Sequence, residues 1–130
     1  MEDFVTYEQA LKLKELGFDW KCNYWYYNAT KCLVSVYGSD CFDFDNMTKA
    51  PTLAQTQKWL RKEHKLWLEP VICITNVNQY SCDIYDLKTA DEENYMDGPT
   101  ASIEGTFNTP EEALVVGIDA AIEKLEEIKQ

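Results

Sequence analysis

The stretch Thr52-Leu-Ala-Gln-Thr-Gln-Lys-Trp-Leu-Arg-Lys-Glu-His-Lys-Leu-Trp-Leu-Glu-Pro70 reads as a helix that runs straight into a strand. Thr52 and Gln55 form a T-x-x-Q capping box, in which the threonine hydroxyl takes an N3 amide and the N3 side chain returns to the cap amide. At about 100° per residue, Lys58, Arg61, Lys62 and Lys65 fall within one sector roughly 100° wide. Leu53, Gln57, Leu60 and His64 lie on the opposite side. A helix over 52–64 is predicted. From Leu66 to Thr75 the chain turns β-rich, and Pro70 demands an edge position or a bulge there, because it cannot donate to a ladder.

The same capping device recurs on either side. Thr6-Tyr-Glu-Gln9 opens a helix over about 6–16, with Ala10, Leu13 and Leu16 as core positions and Gly17 as a left-handed stop. Thr109-Pro-Glu-Glu112 opens a helix over about 110–128, with Pro110 at its first position and acids in its first turn. Its apolar stripe is Leu114, Ile118, Ala121, Ile122, Leu125 and Ile128.

Between these helices lie strand signals: Cys22–Asn28 and Cys32–Tyr37 around a short Asn-Ala-Thr-Lys turn, then Tyr80–Leu87, then Ala101–Phe107. In Tyr80–Leu87, Tyr80, Cys82 and Ile84 alternate with Ser81, Asp83 and Tyr85, which predicts one wet face. The order α-β-β-α-β-β-β-α with hairpin connections defines an α+β class. The expectation is a single domain over 1–130, with one antiparallel sheet of about five strands and three helices mainly on one face. Two long loops, 38–51 and 88–100, remain outside these elements.

Composition narrows the function classes. The chain has 130 residues, near the commonest domain size. Its 45% hydrophobic content and 4 Trp, 8 Tyr and 5 Phe suffice for a packed core. No apolar run approaches the roughly 18 residues that a membrane helix needs. Met1-Glu2-Asp3-Phe4 carries no apolar secretion segment, which points to the cytoplasm. Cys22, Cys32, Cys41, Cys73 and Cys82 are then expected as thiols, and an odd count without C-x-x-C argues against a disulfide framework or a zinc knuckle.

The formal net charge is −11, which repels nucleic acid, since binding it depends on neutralising phosphates with Lys and Arg. Within that negative field, 51–70 holds 4 bases against 2 acids, while 71–130 holds 13 acids against 3 lysines. The basic face of the second helix is therefore a place for an anion, or for the acidic surface of a partner or second copy. Lys58 and Lys62 would supply point charges and Arg61 a bidentate fork; Lys65 extends the same face. Trp59 is a candidate stacking group beside them.

In the first hairpin the run Trp20, Tyr24, Trp25, Tyr26, Tyr27 is dense, and on a strand Trp25 and Tyr27 share one face. Aromatics left exposed there would mark a partner or ligand surface.

Catalytic signatures are weak. His64 is the single histidine, so any cysteine nucleophile, Cys41 or Cys73, would have to use it as base. No motif supports that dyad. Asp40, Asp43 and Asp45 have hard-metal ligand types but break the calcium-loop spacing. Phosphate-cradling glycine loops and the G-x-S-x-G elbow do not occur. No catalytic residue, metal or cofactor is expected.

Three blocks, Phe4–Phe18, Ala50–His64 and Gly105–Leu114, resemble a family of small proteins of tailed phages and prophages of gut bacteria. The resemblance implies an accessory protein inside a bacterial host. It brings no activity and no site residues. The expectation is a non-catalytic binding protein acting on a protein partner or on its own copies. A binder of small anions or nucleotides that sequesters them in counter-defence, held by Lys58, Arg61 and Trp59, and an acidic nucleic-acid mimic are the alternatives.

Overall fold

The computed structural model describes residues 3–35, 44–72, 79–86 and 101–129, with 44, 101–106, 128 and 129 described as backbone. The fold is α+β: the described residues form three helices and six strands, all paired antiparallel. The chain divides into two compact units, Met1–Leu53 and Ala54–Gln130.

The first unit starts with helix α1, Tyr7–Glu15. Its capping box is complete: the Thr6 hydroxyl accepts the Gln9 amide at 3.1 Å, and the Gln9 side chain accepts the Thr6 amide at 3.1 Å. The helix closes with the Phe18 amide donating to Leu13 and the Gly17 amide to Lys14. This is a Schellman ending, and it places Gly17 at φ +96°, where a side chain would be strained. Ala10 and Leu13 are buried as expected, and Leu16 is half-buried.

Strands β1 (Tyr24–Tyr27), β2 (Cys32–Ser35) and β3 (Met47–Lys49) follow, in the spatial order β2-β1-β3. The β1–β2 hairpin turns through Asn28–Lys31, with Lys31 at φ +59°. Asn28 ties the turn to its surroundings: its side-chain oxygen accepts from the Thr48 hydroxyl at 2.7 Å and the Tyr7 hydroxyl at 3.3 Å. The core of this unit gathers Val5, Ala10, Leu13, Phe18, Cys22, Met47, Ala50 and Leu53.

Helix α2, Leu53–His64, leads into the second unit. It stops where Lys65 turns to φ +57°, a left-handed position more often filled by glycine. Strand β4 (Leu66–Ile72) starts directly after it, followed by β5 (Tyr80–Asp86), β6 (Ala101–Phe107) and helix α3 (Pro110–Lys129). The sheet order β4-β5-β6 puts Pro70 on an edge strand, as its missing N–H requires.

Leu68 faces Ile84 across the ladder, and Leu66, Leu68, Cys82 and Ile84 are all buried. Helix α3 packs on all three strands. It buries Leu114, Ile118, Ala121, Ile122 and Leu125 of the stripe read from the sequence, and Ala113 beside them; the side chain of Ile128 lies outside the described residues. At the N-terminus of α3 the Thr109 hydroxyl accepts the Glu112 amide, as expected. The Glu112 carboxylate, however, reaches the Asn108 amide at 3.0 Å instead of the cap amide.

The strands make two three-stranded sheets in place of the one expected sheet of about five. The cause is β3. Met47-Thr48-Lys49 is too short to show a period, and both Met47 and Thr48 are buried, so no alternation marks it. It pairs with the open side of β1 and completes a sheet within the first unit. Each sheet then meets its own helix, α1 at β3 and α3 across β4, β5 and β6.

Candidate functional site

The basic face of α2 is on the surface. Lys58, Lys62 and Lys65 are exposed, and Arg61 is half-buried. Lys65 follows the last helical residue, so it projects from the turn and not from the helical sector. The basic residues Arg61, Lys62 and His64 in the last turn suit the negative end of the helix dipole.

Arg61 is held by an aromatic partner: its guanidinium carbon lies 5.0 Å from the centre of the Trp67 ring. Trp67 is 40% exposed, so the cation and the ring form one surface. Trp59, expected as a stacking group, is 2% exposed and packs edge-on against His64 with ring centres 4.6 Å apart. The aromatic that accompanies the basic face is therefore Trp67. The helix turn decides between them: Trp59 shares the inward side with Leu60, whereas Trp67 alternates outward between buried Leu66 and Leu68. Gln57 also points inward, donating to the Leu68 carbonyl at 2.7 Å.

The outward face of β4 and β5 continues from Trp67. In register, Trp67 stands opposite Tyr85, and Glu69 opposite Asp83. Two carboxylates facing each other across a ladder repel. Tyr85 senses the same field: desolvation first, then the Asp83 and Glu69 charges, raise its hydroxyl above the ordinary tyrosine range. A cationic helix end and an acidic rung thus occupy the same unit.

In the first unit, Trp25 and Tyr27 are half-buried. Tyr24 packs on Phe4 at 4.9 Å and Tyr26 edge-on to Tyr7 at 5.7 Å between ring centres. Burial, then the Glu8 charge, raise the Tyr26 hydroxyl, which donates to the Val5 carbonyl. Trp25 lines a cavity of about 270 Å³, with Lys49, its cross-strand partner, at the mouth. Lys49 escaped the sequence reading because β3 did.

Among cysteine candidates, Cys41 and Cys73 lie outside the described residues, as do Asp40 and Asp43. Asp45 is exposed on a short 3-10 turn, Phe44–Asn46. Cys22, Cys32 and Cys82 are thiols. Burial pushes Cys22 up to about 11 against a modest lowering by Lys49. Burial and then Asp83 push Cys82 up to about 11, against a lowering hydrogen bond from the Glu69 backbone. Thiols held protonated in this way are poor nucleophiles. Among the described residues no three His, Cys, Asp or Glu side chains gather as metal ligands, and no helix is long and apolar enough to cross a membrane.

No protein-family model, curated protein or solved structure matches the chain.

Proposed function

We propose that this chain is a non-catalytic binding protein, of the phage or prophage accessory kind, that works in the bacterial cytoplasm by associating with a protein partner and first of all with a second copy of itself. The observation that carries the reading is the composite surface of Arg61 over exposed Trp67, flanked by Lys58 and Lys62, in a chain of net charge −11. Arginine and tryptophan are the residue types that anchor interfaces. Charge complementarity names the occupant: the exposed lysines of one copy meet the Glu69–Asp83 rung of the other. The phage association rests on the three sequence blocks alone.

The single histidine and two buried thiols lend support to a binding role, while the candidate nucleophiles Cys41 and Cys73 lie outside the described residues. His64 is packed against Trp59, and the thiols of Cys22 and Cys82 are held protonated.

The test is mass in solution by light scattering at low and high salt. The expected result is an oligomer that dissociates in 0.5 M salt, and in the variant K58E/K62E at low salt. Mixing K58E/K62E with E69K/D83K should restore the oligomer. A wild-type chain that is monomeric at every concentration and salt overturns the self-association.

A further inference from the structure

We infer that the cavity of the first unit is a binding site for a flat aromatic monoanion, a mono- or bicyclic ring carrying one carboxylate. This site is separate from the basic face of α2 and does not depend on it. It is built by α1, the segment after it, β1 and β3, all within Met1–Leu53.

Its interior is apolar. Ala10, Phe18 and Met47 are buried at the lining, and the Trp25 ring forms a wall. The Trp25 indole N–H is already used, donating to the Cys22 carbonyl at 3.3 Å, which locks the ring in place. The Thr48 hydroxyl is likewise engaged with Asn28. The wall therefore offers area and a π-face. At about 270 Å³ the space is near the lower end for ligand pockets, of order 300 Å³ and upward, which suits one ring or two fused rings and not a nucleotide.

The mouth carries the charge. Lys49 is pinned from two sides: its ammonium lies 5.8 Å from the Trp25 ring centre and donates to the Asp19 carbonyl at 3.1 Å. An ammonium has three donors, so two remain for a ligand. Lys14, on the exposed side of α1, lines the same mouth. The Asp19 carboxylate is the single acid there, which leaves the lining one positive charge in excess within an acidic protein. That balance fits one carboxylate better than a doubly charged phosphate. A ring stacked on Trp25 would place its carboxylate toward Lys49 and Lys14, where charge-assisted bonds form.

The probe is 2-naphthoate, titrated into the full chain and followed by amide chemical shifts, with 2-naphthylmethylamine and 2-naphthyl phosphate as the charge controls. The expected result is saturable binding of naphthoate, with shifts centred on Ala10, Trp25 and Lys49. The amine should bind at least ten-fold more weakly and the phosphate no more tightly. Lys49→Gln should weaken naphthoate about ten-fold, the scale of one charged hydrogen bond. If Lys49→Gln fails to fold, Lys14→Gln, a change at an exposed helix position, reads the same charge. K58E/K62E should bind naphthoate as wild type does, which separates this site from the self-association surface. Absence of saturation, equal affinity for the amine, or shifts centred elsewhere would overturn the proposal.

Discussion

The guanidinium of Arg61 lies over the ring of Trp67, 5.0 Å from its centre. Six residues apart in sequence, the two meet because α2 ends at His64, Lys65 reverses the chain at φ +57°, and β4 starts at Leu66. The contact covers part of an exposed indole while leaving both groups at the surface.

A double-mutant cycle of Arg61→Ala and Trp67→Ala, read by urea unfolding, should give a coupling of about 0.5–1 kcal/mol, the range for an exposed cation–π pair. Additive losses would show that the proximity carries no energy.

Gly117 sits in α3 against the second sheet, and a Cβ there would come 2.4 Å from the Cys82 sulfur and 3.3 Å from a Leu68 methyl. Alanine would gain about 1 kcal/mol of helix propensity. Overpacking a closed core costs about 1–3 kcal/mol. Cys82 has no exposed surface into which to retreat, so the clash wins. Gly117→Ala should destabilise the chain by about 1 kcal/mol, and the second change Cys82→Ala should recover part of that loss. A Gly117→Ala chain as stable as wild type would mean that α3 lifts from the sheet at little cost.

The ends of α1 are set by single residues. Thr6→Ala breaks the capping box and should cost about 1 kcal/mol. Gly17→Ala meets no atom within 4 Å but must hold φ +96°, and should cost about 1–2 kcal/mol through backbone strain alone. Asparagine at 17 should be milder than alanine if conformation is the cause; equal losses would point elsewhere.

Cys22 and Cys82 titrate near 11, above the ordinary thiol value of 9.0. The folded state therefore holds protons that the unfolded chain releases. The resulting stability is fully present below pH 9 and is lost as pH rises through the folded value near 11. Urea midpoints should fall between pH 8.5 and 10.5, and Cys22→Ala/Cys82→Ala should flatten that fall. Iodoacetamide at pH 8 should label exposed Cys32 before Cys22 or Cys82, as read by peptide mass. Equal labelling rates would contradict the burial.

Local chemistry made much of the fold legible. Three threonines announced three helices, Gly17 announced a stop, Pro70 an edge, and alternation in Tyr80–Asp86 the buried pair Cys82 and Ile84. These signals are readable because they act within a turn or a strand pair. The Glu112 carboxylate reached one residue past its expected partner, since either amide is within reach of the same side chain.

The amino-acid order by itself determined the helices, the antiparallel pairing, the α+β class and the exposed lysines of α2, all set by residues a few positions apart. Tertiary structure decided the rest. It kept the strands in two separate sheets, added β3 to the first of them, and brought Lys49 over Trp25 beside α1. Those outcomes depend on contacts between segments far apart in the chain, and a three-residue strand carries no period of its own to announce them.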